Sequence, residues 1–141
     1  MTLRVANTQR EVRVNLSQMQ RLAKSSLRRL KIAGPGLFSI TFIDSATMQA
    51  LNRRFKKHNR PTDVLCFRYD GEPVVGDVLI SPKQAKTYAR EHAIPYTEEL
   101  SRYVVHGILH WQGHEDRTAT QQRSMRARED RLLRQCGILV K

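Results

Sequence analysis

The sequence predicts an α+β fold, a small mixed β-sheet packed with several α-helices. Segments with helical spacing and β-rich runs follow one another in mixed order, which suits a small sheet covered by helices on one face. At 141 residues the chain is of ordinary length for one domain and can bury most of a core without disulfides or a structural metal. Gly and Pro are scattered as turn markers, with no repeat and no low-complexity stretch. A single domain over residues 1–141 is therefore expected.

The first helix is read in "NLSQMQRLAKSSLRRLKIAG", where Leu16, Met19, Ala23, Leu27 and Leu30 recur at helical spacing. Asn15 and Gln18 can form its capping box, and Gly34 marks its end. "LFSITFID" reads as a strand, followed by a helix capped by Asp44 or Ser45 with Met48, Leu51 and Phe55 as its apolar stripe. Pro61 closes that region. "DVLCFRY" and "GDVLIS" are β-rich runs separated by Gly71, Pro73 and Gly76. Ser81 and Pro82 open the next helix as N-cap and first turn, and Pro95 and Thr97 mark the start of "TEELSRYVVHGILHW". The last helix begins near Thr118, turns Met125, Leu132 and Leu133 inward and ends near Gly137.

Composition narrows the function classes. No apolar run approaches the roughly 20 residues needed to span a bilayer, and "MTLRVANTQREVRV" is interrupted by polar residues where a signal peptide needs an apolar stretch. A soluble cytoplasmic protein is expected, monomeric by default. Cys66 and Cys136 form no CxxC pair, so neither a disulfide framework nor a cysteine zinc site is suggested, and both read as small core residues. The formal charge of +12 favours an acidic partner such as nucleic acid.

The chemistry concentrates in "HGILHWQGHED", residues 106–116. His106 and His110 are four apart, so on a helix both imidazoles project from one face and can share a metal ion. Tyr103 lies on the same stripe, while Leu100, Val104, Ile108 and Trp111 line a neighbouring apolar face. Gly113 can release the chain so that His114, Glu115 or Asp116 folds back as a third ligand. The pair is equally compatible with ordinary hydrogen-bonded histidines. It is not an HExxH zincin motif, because Gly107 stands where the catalytic glutamate would be.

This segment resembles the signature HGxLHLxGYDH of the YbeY family of metal-dependent endoribonucleases, which act in ribosomal RNA maturation. "LNRRFKKHNRPTDVLCF" is similar to that family's LNxxYRxxxxPTDVLSF, and "GDVLIS" to its next strand signature; the three motifs, in order, span roughly half the chain. The resemblance places the family's first two zinc-binding histidines on His106 and His110, which makes their helix the zinc-binding one near the C-terminal half. It places the third on Asp116. The family's tyrosine and aspartate become His114 and Glu115, and its leucine becomes Trp111.

At the third position the alternatives are ranked by chemistry. A carboxylate from Asp116 belongs to the usual zinc ligand set and comes first; His114, immediately after Gly113, is the alternative; a degenerate site that no longer holds metal comes last. The family's functional arginine falls on Lys56, which meets a phosphate as a point charge without arginine's bidentate fork. Lys56, Lys57 and Arg60 are the expected RNA-binding groups, although "RRFKKHNRP" is also an ordinary solvated helix end. Thr62 and Asp63 are read as structural or pocket-lining, Asp77 as fixing a loop or strand end, Ser81 as an N-cap and His92 as a surface residue; Tyr88, Tyr96 and Phe67 could stack on bases, although the core needs most of the aromatics.

The resemblance thus implies a zinc-dependent endoribonuclease, with one Zn²⁺ per chain. It would be single-strand-specific and act in ribosomal RNA maturation and ribosome quality control. RNA, the small ribosomal subunit in particular, would be its partner, and no membrane is involved. Lys56 would neutralise the phosphate and Glu115 would accept the proton or support the ligands. The alternative is a non-catalytic basic RNA- or ribosome-binding assembly factor with a structural or vestigial site. A zinc peptidase is disfavoured by the missing glutamate and the charge.

Overall fold

The structure is a computed structural model that describes residues 1–55, 63–71 and 73–140. Its core is built on β2 (Leu37–Phe42), where strict alternation drives Phe38, Ile40 and Phe42 fully into one face. β2 lies between β1 (Thr2–Asn7) and β4 (Val74–Ile80), parallel to both, and β3 (Val64–Arg68) runs antiparallel along the far side of β4. The sheet order β1-β2-β4-β3 is therefore mixed, as expected. Ile40 pairs with Val78 and Phe42 with Ile80, so the inner face is a continuous apolar floor.

Helix α1 (Leu16–Arg29) lays Met19, Leu22, Ala23 and Leu27 on that floor. Asn15 caps it by accepting from the Gln18 amide at 3.1 Å. It ends sooner than Gly34. Lys31 takes φ +56°, and the Ile32 amide reaches back to the Leu27 carbonyl at 2.9 Å, a Schellman closure that terminates the helix at Leu30 without a glycine. Helix α4 (Tyr96–Trp111) lies against α1, β3 and β4, with α3 (Pro82–Glu91) and α5 (Ala119–Gln135) on its flanks. Thr118 and Gln121 form a full capping box at the start of α5.

The sequence reading differs from the structure in three further places. β1 is an element it does not assign, although Leu3 and Val5 alternate there and pack against the core. The sheet is not bare on its other face: α2 (Ser45–Phe55) sets Met48 against Ile43 and Leu65, with Phe67 and Leu79 beside them. Gly76 is not a separator but lies within β4, because a Cβ there would stand 2.6 Å from the Trp111 indole nitrogen. Cys66 and Cys136 are half-buried free thiols, and burial pushes the Cys66 thiol up to about 11.

Candidate metal centre

The centre lies at the C-terminal half of α4, the helix with the most completely buried flanks. Val104, Val105 and Ile108 are fully buried, which fixes the roll of the helix about its axis. That roll decides where Gly107 points. A side chain there would strike Val78 Cγ1, so α4 crosses the sheet in close contact at this residue. A glutamate at 107 would be driven into the sheet. The missing HExxH carboxylate is thus a consequence of packing, and the histidine face is turned away from β4.

Trp111 anchors the end of the helix. Its ring meets Phe38 edge-on at 5.2 Å, its indole N–H donates to the Val75 carbonyl at 2.8 Å, and Arg68 covers it while donating to its carbonyl at 2.7 Å. Beyond it, Gly113 adopts φ +108°, and the His114 amide donates to the Leu109 carbonyl at 3.1 Å. This Schellman turn reverses the chain within one residue and brings Asp116 back over the last turn of α4.

Asp116 faces both histidines. Its Oδ1 lies 3.3 Å from His110 Nε2 and its Oδ2 lies 3.5 Å from His106 Nε2. One ligand atom from each of the three residues lies within 4.8 Å of the others. Metal–ligand bonds near 2.0 to 2.1 Å in a tetrahedron imply ligand–ligand edges of about 3.3 Å, so each carboxylate contact, made through a different oxygen, is close to the spacing a shared ion requires. The donor set, two imidazole nitrogens and a carboxylate oxygen, suits zinc and leaves a coordination position over. Among the described residues His114 does not join this group. Its imidazole is held below the ordinary histidine range by burial and by Arg128.

A carboxylate that the sequence reading does not single out completes the arrangement. Glu129, on α5, places Oε2 2.5 Å from His106 Nδ1 and Oε1 3.0 Å from Arg102 NH1. Arg102 NH2 continues to Asp130 at 2.7 Å. Arg102 and Glu129 are buried. Burial alone would lower the His106 pKa, but the hydrogen bond and charge of Glu129, with Asp116 and Asp63 behind them, raise it overall. With Nδ1 committed to Glu129, Nε2 is the nitrogen presented to Asp116 and to a metal, the usual carboxylate–histidine–metal chain. The sequence hints only that Glu129 is buried, since it interrupts the apolar stripe Met125, Leu132, Leu133 of α5; its partner emerges only from the packing of α5 on α4.

The other candidates are distributed as follows. Glu115 is exposed and pairs with Arg117 at 3.4 Å. Lys56, Lys57, Arg60 and Thr62 lie outside the described residues. Asp63 lines a cavity of about 230 Å³ that opens beside His106 and Asp116, and Tyr88 lines it too. Ser81 caps α3 as expected, and His92 ends that helix stacked on Tyr88 at 3.8 Å. Asp77 is a strand residue on β4 whose carboxyl burial holds above its usual range. Tyr96 donates to the Arg13 carbonyl at 2.9 Å, and Phe67 packs edge-on against Phe55. No helix among the described residues is long and apolar enough to cross a membrane.

Comparison with known proteins places the chain in a family. The family model described as endoribonuclease YbeY matches residues 4–137. The chain is similar to the endoribonuclease YbeY of Moorella thermoacetica, at 30% identity over 136 residues and 87% of each chain. It is similar also to that of Carboxydothermus hydrogenoformans, at 35% over 106 residues, 73% of this chain and 74% of the relative. A solution structure of a Thermotoga maritima protein shares the fold with a TM-score of 0.61, at 24% identity, over 95% of this chain and 91% of its own.

Proposed function

Because the chain belongs to the YbeY endoribonuclease family, we propose that residues 1–141 form one domain that hydrolyses phosphodiester bonds of single-stranded RNA with a zinc ion held by His106, His110 and Asp116. The observation that carries this reading is the convergence of those three residues, with His106 backed by Glu129. Zinc in such an open site supplies an acidified water and polarises a phosphoryl oxygen.

The chain's own residues do the rest. Asp116 spans both imidazoles, whose separation follows from their positions four apart on α4. Glu129 holds the His106 tautomer, and Arg102 pairs with Glu129 in its buried position. For phosphate neutralisation we retain Lys56, with Lys57 and Arg60 beside it in sequence, and for the proton acceptor Glu115, the carboxylate adjacent to Asp116. The net charge of +12 supports a polyanionic substrate. Ribosomal RNA maturation and quality control, contact with the small ribosomal subunit, a cytoplasmic location and a monomeric state belong to the same proposal.

The test is cleavage of a labelled single-stranded RNA by zinc-loaded protein. Cleavage should fall at least about a hundredfold in His110→Ala, as expected when the ion that stabilises charge is lost. RNA binding without cleavage in the wild type, with metal content below one per chain, would favour the non-catalytic assembly factor instead.

A further inference from the structure

The cavity beside His106 and Asp116 is too large to be a water site. Its volume is about 230 Å³, against about 30 Å³ for one water in the liquid. Two kinds of wall enclose it. Tyr103 and Met125 offer an aromatic ring and a polarisable thioether, surfaces on which a flat ring system can lie. Glu99 supplies a carboxylate that is only 3% exposed, and its Oε1 makes no hydrogen bond among the described residues. Arg102 Nε stands 3.9 Å from that oxygen, beyond hydrogen-bond range.

A buried carboxylate oxygen without a donor is costly, so the position calls for a ligand that brings N–H groups. A small cation is a poor candidate, because Arg102 and Arg126 line the same cavity. A neutral planar group fits both walls. Among nucleobases, guanine presents two adjacent N–H donors on its Watson–Crick edge, matching the two oxygens of one carboxylate. Uracil offers one donor between two acceptors, and adenine and cytosine each set an acceptor beside their amino group.

We propose that this cavity is a nucleobase subsite in which Glu99 accepts from the Watson–Crick edge of a guanine, while Tyr103 and Met125 hold its faces. The proposal rests on the endoribonuclease reading and deepens it, since the subsite borders the ligands that would act on the phosphodiester. A base entering from single-stranded RNA need not be pulled from a helix, which accords with a single-strand substrate.

The experiment is calorimetric binding of 5′-GMP, AMP, CMP and UMP to the zinc-loaded protein at a pH well above 7, where the Glu99 carboxyl has given up its proton. The phosphate contributes equally to all four, so differences report the base alone. GMP is expected to bind about tenfold more tightly than the others, a difference typical of one well-placed bidentate contact. Glu99→Gln, which replaces one accepting oxygen with a donor, should bring the four within about twofold while zinc binding stays unchanged. Met125→Phe, which narrows the cavity without touching Glu99, should weaken every nucleotide whose base enters it, GMP most. Equal binding of the four nucleotides by the wild type, or a guanine preference that survives Glu99→Gln, would overturn the proposal. A cleavage assay run in parallel separates the two readings: cleavage without guanine preference removes the subsite, and guanine preference without cleavage removes the nuclease.

Discussion

The two long sides of α4 are held by different physics. On the sheet side the helix is fixed by shape: Gly107 permits contact with Val78, and Trp111 lies over Gly76 with its N–H on Val75. On the α5 side it is fixed by charge, through Arg102, Glu129, Asp130 and His106. Shape sets the height of the helix above the sheet and is indifferent to protonation. Charge sets which imidazole nitrogen faces Asp116 and depends on every member of the network being present. The site sits where the two constraints meet.

Breaking the charged side should have the largest effect. Glu129→Ala leaves Arg102 buried with one of its principal carboxylates gone and should lower stability by about 3–5 kcal/mol, read in a urea melt. Glu129→Gln keeps the volume and an oxygen near His106, so its main effect should be weaker zinc binding, by about tenfold or more in a competition titration. Breaking the apolar side should be milder. Gly107→Ala forces a methyl group against Val78 and should lower stability by about 1–3 kcal/mol, with zinc binding reduced only as far as α4 is displaced.

The subtlest separation of the two sides is by pH. Burial pushes the Glu99 carboxyl from an ordinary 4.5 up to about 7, against the opposing pull of Arg102 and Arg126. Across that window the folded protein keeps a proton on Glu99 that the unfolded chain has lost, so the Glu99 contribution to stability should fall as pH rises from about 4.5 to about 7 and level off above it, while the raised His106 pKa adds its own fall above the ordinary histidine value. Glu99→Gln should flatten that slope, and Gly107→Ala should leave it unchanged. Urea melts at stepped pH would read both.

These contrasts also mark what the sequence could disclose. Local patterns carried most of the fold: the spacing in α1, the alternation in β2, the cap at Ser81, the start of α5 near Thr118. β1 was missed because its two inward residues, Leu3 and Val5, make too short an alternation to stand out beside Arg4 and Thr2. The end of α1 was misplaced because Lys31 adopts a left-handed conformation that composition does not announce. At the site, the His106–His110 spacing and the Gly113 release were legible within eleven residues. Glu129 was not, because it meets His106 only once α5 has packed against α4, and a carboxylate in an apolar stripe does not name its partner. The unpartnered oxygen of Glu99 is likewise a fact of burial alone.

The central claim is that His106, His110 and Asp116 share one metal ion, and it is tested most directly by zinc titration of the wild type beside Asp116→Ala and His114→Ala. The account predicts one ion per chain for the wild type, the same affinity for His114→Ala, and at least tenfold weaker binding for Asp116→Ala, on the order expected when a ligand is lost. An intact affinity in Asp116→Ala together with its loss in His114→Ala would contradict it.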